Sequence, residues 1–244
     1  MFSASSECGK GGENRSMLLE GYVPDYENYD YEKEWSRRSI EDLAEKRIIG
    51  RWLTHSEYCL ELGGGFGRIT KILEPYFQKV FMIDYSLKNL ASASRRLENT
   101  ALVRGDIRRL PFEDNAFDCI VVVRVLHLIE DIPRMMDEIV RVGRDGATLI
   151  LGVPNTRLGR YRGIRANETV LIGPQKHKAR VYSLNAYRHR SLVLIRRQAA
   201  GIFDNPIGRR LDRIPALYNV DVATSWLWSI KPELFMKFKV RKHE

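Results

Sequence analysis

Cysteine is scarce in this chain of 244 residues: Cys8, Cys59 and Cys119 are odd in number, scattered and free of CxxC spacing. A disulfide framework and a structural zinc site are therefore not expected, and a reducing compartment, the cytoplasm, is the expected setting. Long apolar runs are missing as well. No window approaches the roughly 18 consecutive apolar residues of a membrane-spanning helix. The opening MFSASSECGKGGENRS lacks the apolar stretch of a signal peptide and reads as a flexible lead. No internal repeat with a period of about 20 to 50 residues is visible, which excludes solenoid and propeller architectures.

What is present suits a globular protein. Hydrophobic residues make up 44%, charged residues 29% and aromatic residues 10%, enough for a sizeable core and too apolar for disorder. The net charge of +9 is unevenly spread. Residues 1–140 carry 19 Lys+Arg against 24 Asp+Glu, whereas residues 141–244 carry 21 against 7. Eleven basic residues and one acid, Glu168, lie between Arg157 and Arg197. Such a stretch either meets an anionic partner or forms a solvated basic face.

Along the chain, residues 1–33 read as an irregular lead and 34–244 as one domain. Trp35, Ile40, Leu43, Ile48 and Trp52 recur at helical spacing over about Glu34–Leu53. Short apolar runs then alternate with helical patterns. The runs are Tyr58–Leu62, Val80–Ile83, Ala101–Val103, Cys119–Val125 and Ala147–Val153, and the helices between them are Phe66–Tyr76, Leu87–Leu97 and Ile132–Val142. This alternation predicts an α/β fold with a parallel sheet buried on both faces. After Pro154 the pattern loosens into a Gly- and Arg-rich insertion, a basic cap over about 155–190. Ser191–Arg197 reads as a strand or the end of a helix begun at Leu184, Ile214–Ile230 as one or two short helices, and Glu233–Val240 as a closing strand.

The chemistry concentrates in Glu61-Leu-Gly63-Gly64-Gly65-Phe-Gly67-Arg68, where a strand runs into glycines at every second position before a helix. Such a turn lets a ligand approach the backbone closely. The G-x-G-x-x-G/A dinucleotide fingerprint fails in both frames, because Arg68 or Thr70 stands at its third position. The Gly-Lys-Ser/Thr of a phosphate-binding loop is absent too.

The pattern E-x-G-x-G-x-G resembles motif I of class I S-adenosylmethionine-dependent methyltransferases. The resemblance continues in order: Val80–Ser86 with Asp84, Arg104–Asp118 with its LPFEDNAFD run, Cys119–Glu130 with Arg124 and His127, and the glycine turn Val142–Ile150. It covers about Glu34–Val153 and is closest to type-11-like enzymes of quinone and lipid-like metabolites. It implies a Rossmann-like three-layer sandwich with a mostly parallel seven-stranded sheet, an antiparallel last strand and an N-terminal helix. The implied cofactor is S-adenosyl-L-methionine, with S-adenosyl-L-homocysteine as product.

Residue roles follow from the same resemblance. Asp84 would accept from the ribose hydroxyls, Tyr85 would pack on the adenine, and Asp106 and the Ile107 amide would meet its edge. Glu61, Gly63 and Gly65 would surround the ammonium end, Arg124 would close the methionine end, and Arg38, with Arg37 as rival, would pair with the carboxylate. Trp35 would belong to the cofactor pocket. Each has a structural alternative: Asp84 as a helix cap, Asp106 as a loop cap, Trp35 and Cys119 as core, Gly64 as turn flexibility. Methyl transfer requires alignment and exclusion of water, and a general base only for some acceptors. His127 is the candidate, with His189 and the pair Tyr182/Tyr187 further off. The expected partner is a small, anionic or lipid-like metabolite. A nucleic acid is the second choice, a peripheral membrane contact remains open, and a non-catalytic binding module is disfavoured by the intact glycine motif.

Overall fold

The computed structural model describes residues 31–36, 38–155, 169–172, 177–180, 182–200, 220, 223–224, 226, 231 and 233–242. Seven strands form one sheet: β1 (Ser56–Leu62), β2 (Phe77–Asp84), β3 (Thr100–Arg104), β4 (Phe117–Val123), β5 (Gly143–Pro154), β8 (Leu192–Ala200) and β9 (Glu233–Val240). Their order is β3-β2-β1-β4-β5-β9-β8. The first five are parallel, and β9 runs antiparallel to both β5 and β8. A separate antiparallel hairpin pairs β6 (Thr169–Ile172) with β7 (His177–Arg180). The expected sandwich with an antiparallel last strand is what the chain forms. Ser191–Arg197 is a strand, β8, preceded by a short 3-10 turn at Leu184–Tyr187.

Helices α1 (Tyr31–Trp35), α2 (Ser39–Gly50), α3 (Thr70–Leu73), α4 (Leu87–Ser94) and α5 (Ile132–Val142) cover the sheet. Two helical expectations are corrected. The single helix over Glu34–Leu53 is two helices, because Arg38 leaves helical geometry at φ −132° and ψ 40°. Its side chain serves ion pairs on either side of the break. The helix over Phe66–Tyr76 shrinks to α3 plus a 3-10 turn at Glu74–Tyr76, since Gly67 holds φ +84° and Pro75 interrupts the backbone ladder. By contrast α5 has the expected bounds. Ile132, Met135, Met136, Ile139 and Val142 form its buried stripe, and the Asp131 carboxylate caps it by accepting from the Arg134 amide at 3.1 Å.

The LPFEDNAFD run is a structural device. Leu110 and Phe117 are buried, and the rings of Phe81, Phe112 and Phe117 meet edge-to-face at centroid separations of 5.0–5.8 Å. From α5, Glu138 accepts from the Leu110 amide at 2.7 Å while Arg141 donates to the carbonyls of Leu110 and Phe112. Asn115 takes φ +58° to turn the chain into β4. The Asp118 carboxylate then accepts from the Glu57 and Tyr58 amides at the start of β1. Cys59 and Cys119 are register partners in the middle of the sheet, and both are buried. Burial pushes the Cys59 thiol well above its ordinary pKa, as an inert core thiol requires. Residues 1–30 of the lead, most of the stretch 214–230 and half of the basic cap lie outside the described residues.

Candidate functional site

The carboxyl ends of β1, β2 and β4 meet in one place, and the glycine loop after β1 lies between them. Gly63, Gly65 and Gly67 have φ of +67°, +57° and +84°, so all three use the left-handed region. Their surroundings differ. A methyl group on Gly63 would strike Val125 at 2.4 Å, and one on Gly64 would strike Met82 at 2.4 Å. Gly64 therefore serves close packing, which corrects its reading as simple turn flexibility. A methyl group on Gly65 would meet no atom within 4 Å, so the loop is open on that side.

Asp84 ends β2 and is buried. Its Oδ2 accepts from the Gly65 amide at 2.8 Å; its Oδ1 accepts from the Ser86 amide at 2.9 Å and from Asn89 Nδ2 at 3.3 Å. The cap of α4 is Ser86, whose hydroxyl accepts from the Asn89 amide at 3.1 Å, so Asp84 is not the helix cap. One carboxylate thus joins the glycine loop to the start of α4. Tyr85 is half-buried beside it with Arg104 over its ring at 5.9 Å.

Glu61 is buried under the loop and accepts from the Thr70 hydroxyl of α3. Burial, reinforced by the nearby Asp84 charge, pushes its carboxyl up to about 7 against the opposing pull of Thr70 and Arg68. Asp106 accepts from the Arg108 amide at 2.8 Å and pairs with the Arg108 guanidinium at 2.7 Å. Burial opposes this ionisation, but the Arg108 bonds outweigh it and hold the carboxyl below its ordinary value. Asp106 thus caps its own loop, while Ile107 is buried in the core beneath.

An ion cluster that the sequence did not reveal lies behind the glycine loop. Arg124, at φ +60°, donates from Nε to Glu45 at 2.8 Å, pairs through Nη2 with Glu41 and Glu45, and reaches Glu233 from Nη1 at 2.9 Å. Arg68 pairs with Glu45 and Asp42, both at 2.7 Å, and lies 3.6 Å from the centre of the Trp35 ring. Arg38 pairs with Glu34 and with Glu41 at 3.5 Å and lies 5.6 Å from the same ring. Burial alone would raise the Glu45 carboxyl, but the Arg124 and Arg68 guanidiniums override it and hold Glu45 ionised. The cluster joins α2, the glycine loop, the β4 turn and β9. Its only sequence signal was the acidic face of α2, Glu41-Asp42-x-x-Glu45. Trp35 is half-buried and stacked on Arg68, and Arg38 and Arg124 both face protein carboxylates. Arg37 lies outside the described residues.

Tyr31 of α1 also belongs here, and the sequence did not single it out. Burial raises its phenol above the ordinary range, and the Asp84 charge adds to the shift. Glu32 of the same helix pairs with Arg96 at 2.8 Å and accepts from Ser92. The N-terminal helix is thereby pinned beside the Asp84 end.

His127 is half-buried in the 3-10 turn Leu126–Leu128 that follows β4, with β7 alongside. The more distant candidates do not join it. Tyr182 and Tyr187 are buried in the core, and Tyr182 donates to the Ile129 and Glu130 carbonyls. His189 pairs with Asp137 of α5 at 3.1 Å and accepts from the Ser191 amide. Tyr182 and His189 tie the end of the cap to α5 and to the loop after the Leu126–Leu128 turn. No group of metal-ligating side chains occurs among the described residues.

Two outcomes follow from the buried charges. Glu45→Ala leaves two guanidiniums without their shared partner and should cost about 3–5 kcal/mol of stability, read from denaturant midpoints. The sign for Glu61 follows from a folded-state pKa above the unfolded one: its contribution is full below about pH 4.5 and is lost as the pH rises through about 7. Wild-type stability should therefore fall relative to Glu61→Gln between about pH 5 and 8; parallel profiles would show that Glu61 does not titrate there.

Residues 60–151 match the sequence profile of a family described as a methyltransferase domain. A phthiotriol/phenolphthiotriol dimycocerosates methyltransferase of Mycobacterium ulcerans is 28% identical over 203 residues, 78% of this chain and 71% of its own. A demethylmenaquinone methyltransferase of Thermotoga maritima is 29% identical over 136 residues, covering 53% of this chain and 56% of its own. Several other curated relatives are matched over only 30–45% of their length. In fold, an S-adenosylmethionine-dependent methyltransferase from Mesorhizobium loti superposes with a TM-score of 0.59 at 16% identity, over 82% of this chain and 99% of that one. With the glycine loop, the acid ending β2 and the strand order already in place, residues 60–151 form a methyltransferase domain, and the chain's relatives and fold support a class I S-adenosylmethionine-dependent methyltransferase.

Proposed function

We propose that this enzyme methylates a small, anionic or lipid-like metabolite, binding S-adenosylmethionine across the carboxyl ends of β1 and β2. The observation that carries the cofactor placement is Asp84, fixed by the Gly65 and Ser86 amides next to the open side of Gly65. The residues fit the group. The Asp84 carboxylate has about four acceptor sites, three of them used by the Gly65, Ser86 and Asn89 bonds, so a ribose diol would bind there in competition with those internal bonds. Glu61, a carboxyl poised at about 7 beneath the loop, suits an adjacent ammonium, which would draw it into the ionised form. Tyr85 offers a ring face, and the Ile107 amide and Asp106 bound the far end. Trp35, Arg38 and Arg124 complete the near end. Of the two guanidiniums, Arg38 faces fewer carboxylates and is the one proposed to pair with the amino-acid carboxylate.

When bound, the cofactor supplies a methyl group activated by a sulfonium. The protein's contribution is then to align the acceptor and exclude water. The Val125 contact on Gly63 fixes the β4 turn against the loop and so sets the position of His127. For a hydroxyl acceptor His127 takes the proton; for a carbon acid it removes it.

The names of the relatives support a lipid-like acceptor: one acts on phthiotriol dimycocerosates and another on demethylmenaquinone. The nucleic-acid alternative rests on the basic stretch 157–197. It is weakened by the burial of Tyr182 and Tyr187, which removes from solvent two of the three aromatics in that stretch, the third being Tyr161.

Binding, transfer and rate measurements test this reading. Asp84→Asn keeps the side chain's shape and should weaken adenosylhomocysteine binding by about 1.5–3 kcal/mol, the range for hydrogen bonds to a charged group; unchanged calorimetric affinity would leave Asp84 a purely internal tie. Transfer of labelled methyl from S-adenosylmethionine should be seen with demethylmenaquinone or lipid-hydroxyl acceptors and not with bulk transfer RNA. With the accepted substrate His127→Ala should lower kcat by about a hundredfold or more while cofactor affinity holds; an unchanged kcat would assign His127 a packing role.

A further inference from the structure

The outer strand β8 presents two large aliphatic side chains to solvent, Val193 at 47% and Ile195 at 55% exposure. The register with β9 slips between Leu194 and Arg196, so Ile195 bulges out of the ladder. Exposed aliphatics on an edge strand invite pairing with other chains unless charge guards them, and here the charges within β8 itself are all positive. Residues 183–200 contain four arginines and no acid. Arg196 and Arg197 are exposed immediately after the bulge. Across the ladder, Val193 pairs with Lys239 and Arg196 with Lys237, which places these four side chains on one face of the sheet. The two lysines donate to neutral carbonyls, Lys237 to Trp52 and Lys239 to Gly146, and neither has an ion pair among the described residues. The one acid in β9, Glu233, is buried against Arg124 at the other end of the strand. Basic side chains around exposed aliphatics are the composition that binds an anionic bilayer, where the apolar groups enter the headgroup region and the charges meet lipid phosphates.

We propose that the β8–β9 edge docks on a bilayer surface rich in anionic lipid, with Val193 and Ile195 inserted and Arg196 and Arg197 against headgroups. The patch lies along the side of the sheet, because the site gathers at the end where Ala200 meets Glu233, and Val193 is toward the opposite end of β8. Docking is thus a tether separate from the cleft, and it stands independently of which acceptor is methylated. A nucleic acid would use the arginines but gain little from two protruding aliphatics, since its readout depends on aromatic stacking.

The test is sedimentation of the full chain with vesicles of phosphatidylcholine alone and of equimolar phosphatidylcholine and phosphatidylglycerol, free of any acceptor and of cofactor. The protein should pellet with the anionic vesicles only. Ile195→Thr, which keeps strand-forming character, and Val193→Thr should each weaken binding several-fold. Arg196→Gln and Arg197→Gln should each weaken it about fivefold. All four variants should retain wild-type adenosylhomocysteine affinity, which also shows that they are folded. Absence of pelleting with anionic vesicles overturns the proposal, as does pelleting that the Val193 and Ile195 changes leave unaltered. Bulk transfer RNA that displaces the protein from vesicles, and binds through the arginines without regard to residues 193 and 195, overturns it in favour of nucleic acid.

Discussion

The interaction on which the rest depends is the contact of Arg124 with Glu41, Glu45 and Glu233. These acids come from α2 and from the start of β9, which are far apart in sequence, and the arginine follows the last residue of β4. An isolated buried ion is costly, so each member persists only because the others are present. The mutual requirement fixes three elements at once: helix α2 against the sheet, the turn that carries Val125 and His127, and the antiparallel closing strand. Arg68 extends the arrangement to the glycine loop through its bond to Glu45. A hydrophobic core alone would hold these elements near each other. The ions select one register.

The cleft in front of that cluster is built by a division of labour among neighbouring glycines. Gly63 and Gly64 are small because protein atoms press on them, whereas Gly65 is small beside open space. Asp84 spans the two situations: one oxygen steadies the loop amide, the other steadies the α4 entrance. Farther from the site, the Arg141 and Glu138 clamp on the Leu110–Asp114 segment steadies the approach to the amino end of β4.

Much of this was legible in the sequence, and the reason is local. The continuous apolar runs Tyr58–Leu62, Val80–Ile83 and Cys119–Val125 mark parallel strands, although β4 already stops at Val123, and the stripe of α5 gives its bounds to the residue. The Gly-x-Gly-x-Gly spacing located the loop. Long-range charge partnership was not legible. Nothing near Arg124 announces that its carboxylates belong to α2 and β9, at opposite ends of the domain, and Arg38 looked available because Glu34 and Glu41 read as ordinary helix surface. Asp106 illustrates a different limit: its loop-capping role and its ligand role require the same residue at the same place. Tyr31 escaped notice because the Tyr- and Asp-rich stretch around it has no periodicity, and only the fold brings its phenol to Asp84. The LPFEDNAFD run was recognised as a motif but read as part of the chemistry, whereas its side chains brace the sheet.

At position 124 the backbone and the side chain make opposite demands. A left-handed φ of +60° favours glycine or asparagine, and an arginine there carries a conformational penalty of about 1–3 kcal/mol. Yet only a long guanidinium can satisfy three carboxylates at once. No amino acid meets both conditions, so the site is locally frustrated by necessity. The turn from Arg124 to Leu128 is consequently a point where the otherwise well-packed sheet keeps stored energy.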